Sequence, residues 1–253
     1  MRRRLGIAMV FASLQAGCGR VRFDAGADAG SDGAGDEDAA PGFCASLPAP
    51  VTFCDDFDSG PITEHWSRII RDAPGLIAIE ESSDAPSGTS TLHVEMNATA
   101  GNCLYNQVRA QRQGAFSRAH AEVDVFVPSG GAAGQILSAL NFSDGASTCQ
   151  TLVTDGSYAE QTIDSVDNRQ YDRSDYAAMS EDSWHHIEYD YVITPGQGHL
   201  RIEVDGVVHV DKDAMYTCLF STGLVQYDVG LFCVDSPTET QVVRYDNVVL
   251  DVQ

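Results

Sequence analysis

Tyr105, Gln107 and Arg109 alternate in the stretch LYNQVRA, so on an extended strand they share one face. A tyrosine can stack on a sugar ring or take a proton, while glutamine and arginine can bond hydroxyls or hold the charge of a carboxylate-derived anion. A second set stands in residues 155–183, DGSYAEQTIDSVDNRQYDRSDYAAMSEDS, where Tyr158, Arg169, Tyr171, Arg173 and Tyr176 lie among many acids. This is the longest irregular polar segment by pattern, and long loops over a rigid scaffold are where binding is usually carried. These eight residues form the candidate ligand-binding set, with chemistry suited to carbohydrate hydroxyls. The competing reading is that strands around Tyr158 and Tyr171 pair within a sheet and the tyrosines merely cover it. His185 and His186 invite acid–base or metal chemistry, yet neighbours on a strand point to opposite faces and cannot act on one ligand together. With no CxxC pair and no HxxxH spacing, a zinc site is not expected.

The scaffold is most legible in residues 184–210, WHHIEYDYVITPGQGHLRIEVDGVVHV. Ile187, Tyr189, Tyr191 and Ile193 share one face, and Leu200, Ile202 and Val204 share another, the period-2 pattern of half-buried antiparallel strands. Pro195-Gly196 and Asp205-Gly206 supply the turns. Further strands are expected at 66–71, 76–81, 90–96, 103–111, 120–127, 135–141, 148–154, 224–234 and 241–250, separated by turn clusters such as APSG and PSGGAAG. One helical turn around Ile62 to Trp66 is the most helix the pattern allows. The expectation is an all-β fold, an antiparallel two-sheet jelly-roll sandwich over residues 43–253.

Arg2, Arg3 and Arg4 precede a short apolar run and small residues before Cys18, which reads as a signal peptide over residues 1–17. The run is far shorter than the ~20 residues needed to cross a bilayer. LQAGC resembles the bacterial lipobox, with Gln15 where an apolar residue is usual, and the resemblance makes Cys18 a lipidation site. Residues 18–42 then form a disordered, acidic, Asp/Ala/Gly-rich linker unable to bury a core. Beyond it stand 31 acidic residues against ten basic ones. Such a surface repels phosphate backbones, so nucleic acid is not an expected partner; an acidic polysaccharide fits poorly unless the few arginines cluster. Six cysteines remain in the domain, Cys44, Cys54, Cys103, Cys149, Cys218 and Cys233, an even set that implies disulfides in an exported chain. Spacing leaves the connectivity open; Cys44–Cys54, Cys103–Cys149 and Cys218–Cys233 are the expected pairs.

The WHHI…VDG hairpin resembles that of laminin-G-like and concanavalin A-like jelly rolls. FCDDFDSG, STLHV, FSRAHAEVDVFVP and VVRYDNVVL are similar to segments that recur in that order in laminarinase-like members and their non-catalytic relatives. The resemblance implies that a glycosidase would carry its carboxylates as ExDxxE on the strand that here reads STCQTLVT, which has no acid; Glu122 and Asp124 mimic only the first half of the pattern, one hairpin earlier. The RTEL, QIH and YFKxG motifs of polysaccharide lyases likewise have no clear counterpart. No catalytic residue is assigned. Relatives often hold one structural calcium ion, and the resemblance places it at Asp246 with Asp56 or Asp58. The expected protein is a lipid-anchored envelope protein, facing the cell surface or periplasm, that binds a carbohydrate or an extracellular protein without catalysis. A divergent polysaccharide lyase or hydrolase, and a purely structural envelope protein, are the alternatives.

Overall fold

A computed structural model describes residues 42–253 except 49, 130–134, 146, 155–157, 166–167, 176–177, 195–196, 214–221 and 235–236, with backbone alone at 147, 158–165, 168–175, 194 and 197. The chain opens with a helical turn α1 (Phe43–Ser46), β1 (Phe53–Asp55) and a second turn α2 (Ile62–His65). It continues through β2 (Arg68–Arg71), β3 (Ile77–Glu81), β4 (Ser90–Met96), β5 (Leu104–Ala115), β6 (Arg118–Val127), β7 (Ile136–Ser143) and β8 (Ser147–Thr154). Then follow β9 (Tyr158–Ser165), β10 (Asn168–Asp175), β11 (Ser183–Thr194), β12 (Gln197–Val204), β13 (Val207–Asp213), β14 (Thr222–Val234) and β15 (Gln241–Val252).

All pairings are antiparallel and build two sheets. One runs β13-β12-β11-β6-β15-β4-β3, with β1 also on β15; the other runs β10-β9-β8-β7-β14-β5-β2. The alternation that predicted the strands also fills the space between the sheets. Val123 and Val125 of β6, Ile187, Tyr189 and Tyr191 of β11, and Tyr245 of β15 face Val108 of β5, Leu140 and Phe142 of β7, and Val225, Tyr227 and Val229 of β14. The rings engage across the gap, with Phe142 and Tyr191 at 4.6 Å between centroids and Tyr189 and Tyr227 at 5.9 Å. The Asp205-Gly206 turn joins β12 to β13 with both residues at positive φ, 53° and 73°, the geometry of a type I′ hairpin. Pro195-Gly196 lies outside the described residues.

Buried hydroxyls tie the sheets together where the ladders break. The β7–β14 pairing shifts register between Val229 and Phe232, and the β7–β8 pairing between Ile136 and Ser138. Tyr245 Oη donates toward the carbonyls of Leu137 (2.8 Å) and Gly230 (2.7 Å), inside that break, and Tyr189 Oη meets Ser138 Oγ at 2.7 Å. Buried carbonyls outside a ladder must find a donor, and the tyrosines supply it.

Two expectations need correction. Residues 155–183 are not one long loop: β9 and β10 form a hairpin that extends the seven-stranded sheet. Its sequence, mostly polar, lacks the apolar alternation that marks a strand, and the pairing agrees with the competing reading of strands around Tyr158 and Tyr171. The cysteines also pair differently. Cys44 bonds Cys54, but Cys103 bonds Cys233, not Cys149. β5 and β14 are neighbours with Leu104 opposite Val234, which brings Cys103 and Cys233 together, whereas β7 and β14 separate β8 from β5. Cys149 is disulfide-bonded as well, and Cys218 lies outside the described residues.

Tyr245→Phe keeps the ring packing and leaves two buried carbonyls short of a donor. Urea unfolding of this variant is expected to show a loss of about 1–3 kcal/mol with an unchanged m-value.

Candidate functional site

The outward face of the seven-stranded sheet holds a groove of about 410 Å³, lined among others by Tyr105, Gln107 and Arg109 of β5, Asn141 of β7, Thr148 and Gln150 of β8, and Gln226, Asp228 and Phe232 of β14. Arg68 and Ile70 of β2 and the exposed Asp72 complete it. Strand alternation explains the sorting. Asn106, Val108 and Ala110 turn inward while their neighbours on β5 turn out, and the polar Gln226 and Asp228 punctuate an otherwise apolar β14.

The groove has three zones. At its centre Arg109 forks onto Asp228, Nε to Oδ1 at 2.5 Å and Nη2 to Oδ2 at 2.9 Å, and Asn141 Nδ2 donates to Oδ2 at 2.8 Å. Asp228 is 1% exposed; burial raises its pKa, against the hydrogen bonds and charge of Arg109 and the amide of Asn141. Beside this pair Gln107 is 2% exposed, and its Oε1 has no hydrogen-bond partner among the described residues. Gly230 stands opposite Gln107 at φ 143°, and a Cβ there would come within 2.6 Å of Gln107 Cα, so only glycine leaves this spot open. At one end Phe232, Leu152, Ala139, Tyr105 and Ile136 form a small apolar cluster outside the main core.

The second candidate set joins the first by register. One ladder row reads Arg68, Arg109, Asp228, Ala139, Leu152, Glu160, Arg173 from β2 to β10. A parallel row reads Gln111, Gln226, Asn141, Gln150, Thr162, Tyr171, and Arg169 falls opposite Asp164, itself opposite Thr148. Tyr158, Arg169, Tyr171 and Arg173 therefore occupy positions on the groove's face of the sheet. Tyr176 lies outside the described residues. Sequence reasoning missed Arg68, Asn141, Gln150, Gln226, Asp228 and Phe232. Polar residues at alternate positions of β14 were a usable signal, whereas the partnership of Arg109 with Asp228 needs the strand order.

The acid–base candidates of this face are tyrosines and carboxylates. None of the seven histidines falls on any strand of the seven-stranded sheet. Glycoside cleavage needs one carboxyl to protonate the leaving oxygen and another to attack or activate water. The carboxylates lining the groove are Asp72 and Asp228, and both oxygens of Asp228 are held by Arg109 and Asn141.

The other candidates lie on the eight-stranded sheet or beside it. His185 is buried, with Nδ1 at 2.7 Å from Asp205 Oδ2 and Nε2 at 2.8 Å from the Ser180 carbonyl, so it staples the segment before β11 to the β12–β13 turn. His186 points to the opposite, outer face, where its Nδ1 meets Asp124 Oδ1 at 2.8 Å. Hydrogen bonding to Asp124 raises the His186 pKa against its burial, while Glu122 is lowered, chiefly by its bond to His120. Asp246 is fully buried and accepts the Ser87 and Asn247 backbone N–H groups and the Ser87 hydroxyl; Asp58 accepts the N–H groups of Thr89 and Ser90; Asp56 accepts that of Cys44. Asp246 and Asp58 thus hold the same turn, residues 87–90, while Asp56 holds Cys44. Among the described residues no group of three or more His, Cys, Asp or Glu comes together where it could hold a metal.

No protein-family model matches the sequence, and no curated protein matches it significantly. Solved structures do. An endo-β-1,4-glucuronan lyase from the fungus Trichoderma reesei is 14% identical with a TM-score of 0.65, over 81% of this chain and 96% of that one. The fold is the concanavalin A-like jelly roll. The alginate lyase Aly36B, solved with an alginate trisaccharide, is 13% identical (TM-score 0.54; 81% and 99% covered). A GH16 protein of the Bacteroides ovatus mixed-linkage glucan PUL, solved with a product, is also 13% identical (TM-score 0.53; 79% and 100% covered). At such identities the likeness establishes architecture.

The buried Asp246 gives this jelly roll a pH signature. Desolvation, reinforced by the charge of Asp124, pushes its pKa up to about 7 from an unfolded value near 3.8, against the bonds from Ser87 and Asn247. The stability tied to its neutral form is complete below pH ~4 and is lost as pH rises through ~7. Melting curves from pH 4 to 8 should show a fall in the native protein that is reduced in Asp246→Asn, whatever that variant's own baseline.

Proposed function

We propose that this chain is a non-catalytic carbohydrate-binding protein, carried on a lipid anchor at the bacterial envelope, with the groove of the seven-stranded sheet as its binding site. The observation that carries the reading is Gln107, a buried amide lining the groove whose oxygen has no hydrogen-bond partner among the described residues, beside further amides, hydroxyls, charged groups and a Tyr–Phe end. An unsatisfied buried acceptor costs about 1–3 kcal/mol, which a ligand hydroxyl would recover. Sugars offer hydroxyls on their edges and apolar faces for aromatic rings, a match to both zones. The similar architectures include two named as polysaccharide lyases and one as a glycoside hydrolase family member, which supports a carbohydrate ligand for this groove as well. Against catalysis stand the carboxylate fully held by Arg109 and Asn141 and the lack of histidine on this sheet.

Incubation with a panel of neutral and acidic polysaccharides is expected to show retention on at least one, with no release of reducing ends or unsaturated uronates. Gln107→Ala should abolish retention; product release would overturn the non-catalytic reading. For the anchor, palmitate labelling of the expressed full-length protein is expected to disappear in Cys18→Ser, and unchanged labelling would place the lipid elsewhere.

A further inference from the structure

We propose that the groove selects an acidic carbohydrate, an oligomer whose sugars carry carboxylates, an inference that rests on the binding function proposed above. Arg68 of β2 lies directly opposite Arg109 of β5, and like charges in that position repel. The charge of Asp228 reaches both, but its two oxygens are engaged by Arg109 and Asn141. No carboxylate among the described residues forms an ion pair with Arg68, which is exposed on the groove's edge; Asp72, also exposed, lines the same groove without bridging to it. The Arg68 guanidinium therefore stands at the groove's edge with its donors open to a ligand.

The remaining charges sharpen the point. Register adds Arg173 to the far end of the row that begins at Arg68, and Arg169 to the same face, so four of the ten basic residues of the domain fall on one face of one sheet. The overall charge of −22 argued against an acidic polymer only while the arginines were taken as scattered. Their gathering puts guanidinium groups on this face in spite of that overall charge, and Asp228, Glu160, Asp164 and Asp175 share the face by register, so it is mixed in charge.

Two demands then have to be met by one ligand. Arg68 calls for an anionic oxygen, and guanidinium–carboxylate pairing is the strong form of that contact. The buried Oε1 of Gln107 calls for a donor, which a carboxylate or sulfate ion cannot supply and a sugar hydroxyl can. A neutral sugar meets the second demand alone and a simple anion the first alone. A uronic-acid residue meets both. The row crosses seven strands, about 29 Å at the usual strand spacing, which suits a chain of sugars lying across the strands better than a single one.

The test is calorimetry of the full chain with three polyuronates (alginate, polygalacturonate and glucuronan), each beside the same polymer after carboxyl reduction to its neutral form. At least one polyuronate is expected to bind, its reduced form about tenfold or more weaker, with affinity falling as salt rises. Arg68→Gln, at an exposed position, should weaken the polyuronate about tenfold and the reduced polymer by clearly less. Equal affinity for the reduced polymer, or an unchanged polyuronate affinity in Arg68→Gln, overturns the acidic selectivity while carbohydrate binding stands. Binding of neither form, here and across the wider polysaccharide panel, overturns both.

Discussion

The hydroxyl of Tyr245 sits where two ladder breaks meet, and the shape of the groove depends on it. Residues 230 and 231 of β14 pass through the register shift against β7, which leaves the Leu137 and Gly230 carbonyls in the core outside a regular ladder. Without a donor from the opposite sheet this irregularity would be too costly to bury. With it, β14 can run Asp228, Gly230, Phe232 along one face, a charged group, a gap and an aromatic ring in succession. The gap admits Gln107, and the ring anchors the apolar end. An inter-sheet hydrogen bond in the core thus determines what the outer surface can present.

The chemistry of that surface follows from how charge is compensated. Burial raises the pKa of Asp228, and Arg109 and Asn141 occupy both its oxygens. What remains available to a ligand is a set of amides, hydroxyls, an aromatic end and the exposed guanidinium of Arg68. The outer face of the other sheet is organised differently. His120, Glu122, His186 and Asp124 are paired among themselves, and their interactions are internal to the surface.

Much of this was legible in the chain itself. Ser90 to Met96, the WHHI hairpin and the Asp-Gly turn follow from strict alternation and turn chemistry, which are local. Tyr105, Gln107 and Arg109 were found by the same alternation and do line the groove. The hairpin of β9 and β10 was hidden because strand pairing there is held by backbone bonds beside β8 while the side chains, mostly polar, show no period. Arg68, Asn141 and Asp228 come from three strands far apart in sequence, so no spacing relates them to Arg109. Cys103 and Cys233 are 130 residues apart and meet only because β5 and β14 are neighbours. Asp58 and Asp246, far apart in sequence, meet on one turn because both accept backbone N–H groups of residues 87–90, a juxtaposition no spacing shows.

The polarity of β10 has a consequence for the molecule among its own copies. As the last strand of the seven-stranded sheet it presents an open row of backbone donors and acceptors, the feature through which sheets of different molecules join. NRQYDRSD offers such an approach almost no apolar surface and a mixture of charges, and on the other sheet β13 ends in Asp211, Lys212 and Asp213. The polar composition that left this hairpin without a readable period is also one that disfavours edge-to-edge pairing between copies of the chain.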